Sequence, residues 1–104
     1  MRLQVLHVPD CPNAVALTTR LALLLGGHDR IEQQVIHDQD EAAAAGMSGS
    51  PTLLLDGIDP FAAVAGRPPG LSCRLYLDEN GALAGAPSLV QLRAAITWKG
   101  PGNA

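Results

Sequence analysis

Apolar and polar positions along this chain follow two periods, and the changes of period mark its elements. Leu3, Val5, Leu6 and Val8 form a nearly unbroken apolar run ended by Pro9, the pattern of a strand buried on both faces. From Ala14 the period lengthens. Ala14, Leu17, Leu21, Leu24 and Leu25 share one helical face, while Thr18, Thr19 and Arg20 fall off it. Pro12 suits the first helical position, which makes Cys11 the N-cap, and Gly26-Gly27 stops the helix. Ile31 to His37 predicts a second strand with Ile31 and Val35 inward and Glu32 and Gln34 outward; its polar content predicts an edge. Asp38-Gln39-Asp40-Glu41 starts a short helix, with acidic side chains at the positive end of its dipole, and Gly46 ends it. Ser50-Pro51 then leads into a third buried strand, Thr52 to Leu55, closed by Asp56-Gly57.

Ile58 to Ser72 holds Pro60, Pro68 and Pro69 and reads as an irregular excursion, long enough to cover something. Cys73 to Leu77 predicts another strand, turning at Asn80-Gly81, a strong hairpin signal. Ser88 caps a last helix whose Leu89, Leu92, Ala95 and Ile96 share a face, and Gly100 to Ala104 reads as a tail. The order β-α-β-α-β-β-α implies one α/β domain over residues 1–99. Its central mixed sheet should have at least four strands and helices on both faces. Leu3–Val8 should lie in the middle, between Ile31–Ile36 and Leu53–Leu55.

With 47% apolar residues but one Trp, one Tyr and one Phe, the core must be aliphatic. The net charge is −3 with no basic cluster, so a nucleic-acid partner is not expected. No apolar run approaches the ~18 residues of a membrane span. Arg2 is followed at once by the strand-like run rather than by an apolar leader. Cys11 and Cys73, in a chain read as lacking an export signal, predict reduced thiols and a cytoplasmic setting.

Two segments carry a family resemblance. Gly46-Met47-Ser48-Gly49-Ser50-Pro51-Thr52-Leu53-Leu54-Leu55 resembles the thioredoxin segment in which a short helix ends in Gly before a cis-proline and a buried strand. Pro9-Asp10-Cys11-Pro12-Asn13-Ala14 resembles the glutaredoxin active-site turn, where Cys-Pro-x-Cys opens the first helix. The likeness covers most of residues 3 to 56 and, more weakly, the C-terminal hairpin and helix. The chain is also similar to small actinobacterial-type thioredoxin-like proteins with Cys-Pro-Asn early and Ser-x-x-Cys-Arg late, here Cys11-Pro12-Asn13 and, of the late motif, Cys73-Arg74. Some of those carry the name alkylmercury lyase. One departure stands out: Ala14 occupies the place of the resolving cysteine, so a Cys-x-x-Cys disulfide is impossible.

The resemblance implies a thioredoxin-like fold and a cis bond before Pro51. It also implies a substrate surface made by Pro12, Ser50, Pro51 and Thr52, with the Ser50 backbone open to an extended peptide or a glutathione-like thiol. From the residues themselves, a thiol opening a helix lies where free N–H groups and the dipole favour a thiolate. Asp10 opposes that charge, or, partly desolvated, serves as a proton donor. Cys73 has two possible places. Direct antiparallel pairing of its strand with Thr52–Leu55 puts it ~17 Å from Cys11, at the far end of the sheet. A turn back at Ile58–Phe61 delivers it near Cys11; a buried strand cysteine is the plainer alternative. Arg74 reads as an outward strand residue able to meet an anion or Asp10. His7 alternates with apolar neighbours and can reach the active end, whereas His28 and His37 sit at a loop and a strand end. No metal-ligand spacing is present.

Three functions follow. The leading expectation is a monothiol thiol–disulfide oxidoreductase in which Cys11 attacks a disulfide and is released by a low-molecular-weight thiol co-substrate or by Cys73. A second is organomercurial cleavage by Cys11, Cys73 and Asp10, which requires the two thiols to be close. The third is a non-catalytic binding module.

Overall fold

The computed structural model describes residues 1–62 and 69–97. The C-terminal tail, 100–104, and part of the 58–72 excursion lie outside the described residues. The elements are β1 (Leu3–His7), α1 (Pro12–Leu25), β2 (Ile31–Val35), α2 (Gln39–Ala45), β3 (Ser48–Ser50), β4 (Thr52–Leu55), β5 (Gly70–Cys73), β6 (Tyr76–Leu77), β7 (Leu83–Ala84) and α3 (Leu89–Thr97). The architecture is mixed α/β. β1 is central, paired parallel with β2 (Leu3 opposite Ile31) and antiparallel with β4 (Leu3 opposite Leu55).

Strand alternation divides the core between two layers. Leu3 and Val5 of β1, with Leu53 and Leu55 of β4, pack against Leu17 and Leu21 of α1 and Leu92 and Ala95 of α3. Leu6 and Leu54 face the other way, onto Ile36, Ala42 and Met47 around α2. A strand with helices on both sides has no solvent face, which is why β1 carries so little polar alternation.

The caps explain where the helices begin and end. Pro12 occupies the first turn of α1, and Gly26 closes it in the left-handed conformation at φ 78°. Asp38 accepts the Glu41 N–H at 2.8 Å to open α2. Ser88 and Gln91 exchange reciprocal bonds at the start of α3, Gln91 N–H to Ser88 Oγ and Ser88 N–H to Gln91 Oε1.

Three expectations need correction. The central sheet among the described residues has three strands rather than at least four; β3–β5 and β6–β7 are separate two-stranded ladders. The strand expected over Cys73–Leu77 breaks at Arg74-Leu75, because Arg74 turns its side chain inward rather than outward and is 2% exposed. Val35 is 40% exposed, and the inward residue is Ile36, one position beyond β2, whose N–H donates to His7 O at 2.7 Å. Among the described residues no helix is long and apolar enough to cross a membrane.

Candidate functional site

Between β1 and α1 the chain turns through Pro9 and Asp10, the latter at φ 57°, a left-handed conformation that Asp tolerates better than most residues. This turn leaves Cys11 half-buried at the N-cap of α1. Its sulfur receives no hydrogen bond from the helix end, contrary to expectation. Pro12 has no N–H, and the Ala14 N–H is directed to Cys11 O at 3.2 Å.

The sulfur's donor is the hydroxyl of Ser50, 3.2 Å away. The same hydroxyl oxygen accepts the Val8 N–H at 3.0 Å. A hydroxyl has one hydrogen; with Val8 donating to its oxygen, that hydrogen is free to lie on the sulfur. The resulting chain, Val8 N–H to Ser50 Oγ–H to Cys11 Sγ, presents a fixed dipole to any negative charge that develops on the thiol. Ser50 is 1% exposed, so little water competes for either bond.

The peptide bond between Ser50 and Pro51 is cis, as expected. The surface around it differs from expectation. Pro51 and Thr52 are fully buried rather than presented to a ligand. Pro51 O accepts the Tyr76 hydroxyl at 2.5 Å, and the Thr52 hydroxyl donates to Gly49 O at 2.7 Å. Nor is the Ser50 carbonyl open: it accepts the Arg74 N–H at 3.0 Å. β5 lies parallel to β3 along this edge, with Ser50 opposite Cys73. The approach is tight. A Cβ on Gly49, itself at φ 95°, would come within 2.9 Å of Arg74 Cβ.

This pairing favours the route in which the chain turns back after β4, where Leu55 and Ile58 form a bridge. Cys73 is thereby brought to the strand beside Ser50, the residue that contacts Cys11, and it is exposed rather than buried. Arg74 does not meet Asp10. Its guanidinium pairs with Asp59 at 2.6 Å, donates to Phe61 O at 2.7 Å and lies over the Tyr76 ring, 4.7 Å from the centroid. Asp10 is exposed.

A cavity of about 320 Å³ opens beside Cys11. Pro12, Ala14 and Val15 of α1 form its apolar wall, and His7, Asp10 and Gln33 supply its polar groups. His7 Nδ1 is 2.8 Å from Val8 O. A carbonyl only accepts, so Nδ1 carries the hydrogen of this contact. Sequence reasoning placed His7 near this end but missed Gln33, which enters only through the parallel register of β2. It also missed the Ser50 hydroxyl as the partner of the thiol. A serine before the proline on the family-like turn was the available signal. Among the described residues no group of three or more His, Cys, Asp or Glu side chains could hold a metal ion. Comparisons with family models, with curated proteins and with solved structures returned no match.

Proposed function

We propose that this chain is a thioredoxin-like thiol–disulfide oxidoreductase whose nucleophile is Cys11. The observation that carries the reading is the Ser50 hydroxyl donating to Cys11 Sγ at 3.2 Å, with its oxygen held by Val8 N–H. Inert cysteines are commonly packed among apolar groups. This one packs against the apolar core on one side, yet it is half-exposed, bordered by a cavity and supplied with an oriented donor.

The Cys11 thiolate attacks one sulfur of a disulfide. A Cys11–substrate S–S bond forms, the substrate's own S–S bond breaks, and its second half leaves as a thiolate that takes a proton from solvent. A low-molecular-weight thiol then attacks the mixed disulfide on the substrate sulfur and regenerates Cys11. Alternatively, Cys73 attacks Cys11 Sγ, releases the bound half as a thiol and leaves a Cys11–Cys73 disulfide, which two equivalents of the low-molecular-weight thiol reduce, leaving as their own disulfide. Placement of Cys73 opposite Ser50 supports the second ending. The reading takes the setting to be cytoplasmic, where thiols are kept reduced.

The test is intact-mass analysis after brief exposure to 2-hydroxyethyl disulfide at neutral pH. One mixed disulfide is expected on Cys11, absent in Cys11→Ser, and its lifetime should lengthen in Cys73→Ser if Cys73 resolves it. A folded protein that forms no adduct at Cys11 overturns the proposal and leaves a binding module.

A further inference from the structure

We infer that the disulfide taken by Cys11 is a small one bearing ammonium groups, held in the cavity between α1 and β2, with Asp10 as the residue that selects its charge. The inference rests on Cys11 being the nucleophile.

Two observations restrict the substrate. The strand edge beside Pro51, where an extended peptide would pair, is occupied by β5 through the Arg74 N–H to Ser50 O bond and the Ser50–Cys73 register. A peptide therefore cannot pair with the Ser50 carbonyl beside the thiol without displacing β5. The remaining approach is the cavity of about 320 Å³, the size of a small-molecule site.

The chemistry of the cavity restricts the substrate further. Its polar side chains are those of Asp10, Gln33 and His7. Among the described residues no lysine or arginine lines it. A carboxylate beside an amide oxygen suits a group that offers several N–H donors, as an ammonium does. A carboxylate-bearing disulfide such as glutathione disulfide would instead meet both Asp10 and the attacking thiolate, two like charges. Asp10 is exposed, so the discrimination is that of a solvent-screened pair, roughly a few-fold per charge.

The test compares cystamine, 2-hydroxyethyl disulfide and dithiodiglycolate at low ionic strength. The rate of Cys11 adduct formation for each is divided by its rate with free 2-mercaptoethanol at the same thiolate concentration. Cystamine should exceed dithiodiglycolate by about three- to tenfold on this normalised scale, and added salt should shrink the ratio. Asp10→Asn should lower the ratio by about two- to fivefold. Asparagine accepts the left-handed conformation of Asp10, so the turn is retained. An unchanged ratio in Asp10→Asn overturns the inference, as does a cysteine-peptide disulfide that reacts faster than cystamine. If no reagent labels Cys11, the failure lies with the nucleophile itself.

Discussion

Replacing Ser50 by alanine removes one oxygen and disturbs two bonds with separable effects. The half-buried Val8 N–H loses its acceptor, and an unsatisfied buried donor costs about 1–3 kcal/mol of stability. For a domain of this size each kcal/mol moves Tm by roughly 4–8 °C. The second bond bears on the thiol. A donor to a charged acceptor contributes about 1.5–3 kcal/mol, and a sulfur acceptor at 3.2 Å belongs at the lower end. Since 1.4 kcal/mol corresponds to about a factor of ten, and a better-stabilised sulfur is also a weaker nucleophile, the alkylation rate of Cys11 should fall roughly three- to tenfold. Iodoacetamide alkylation followed by mass spectrometry at neutral pH reads this directly. Ser50→Ala should lag the parent by that factor. Ser50→Thr, which keeps the hydroxyl, should recover most of the parental rate. The reasoning is refuted if Ser50→Ala, still folded, alkylates at the parental rate.

Breaking the Arg74–Asp59 pair by Asp59→Ala should cost about 3–5 kcal/mol in urea unfolding, because it strands a buried guanidinium; a loss below about 1 kcal/mol would mean water already reaches it. Gly49→Ala should push β5 away from β3, since its Cβ meets Arg74 and its φ of 95° is left-handed. The expected loss is about 1–3 kcal/mol with faster alkylation of Cys73, and an unaltered Cys73 rate would contradict the close approach. The Glu32 carboxyl lies below the ordinary carboxylate range, chiefly through the hydrogen bond from Arg2 at 2.7 Å. Its contribution to stability is therefore present above the usual glutamate range and is lost as pH falls through the lowered folded value. An NMR titration should show that low midpoint, and Arg2→Ala should return it to normal.

Legibility in the sequence followed the range of the interactions. β1 and α1 were readable because their determinants are local: an apolar run with no polar alternation, Pro12 inside the first turn and Gly26 past the last. Cys11 at the helix start followed from the same signals, and the cis bond before Pro51 from the likeness of its turn to a known one. What stayed hidden was set by partners distant in the chain. Arg74 looks like an outward strand residue until Asp59 and Phe61 O, on a segment with no regular period, are seen to enclose it. Its inward turn also ends β5 at Cys73 and diverts it from β4 to β3, which no periodicity in Gly70–Leu77 announces. Pro51 and Thr52 are covered from the same stretch, Pro51 O accepting from the Tyr76 hydroxyl and Thr52 Oγ1 from the Arg74 guanidinium. The Ser50 hydroxyl was hidden for a further reason: whether a serine before proline points at a thiol depends on side-chain direction.

Arg74 binds four places at once: Asp59, Phe61 O, Thr52 Oγ1 and, through its backbone, Ser50 O. Peeling β5 away stepwise would leave a bare cation in the interior, so partial openings are penalised and the 59–61 turn, β5 and the first residues after it should open together. In native-state hydrogen exchange the Arg74 amide should therefore share one protection level with its neighbours in that unit, and Asp59→Ala should lower protection across the whole unit rather than at one site. Withdrawal of the strand that carries Cys73 would then be a rare, all-or-none event, and the second thiol would stay posted beside Ser50 for nearly the whole life of the folded chain.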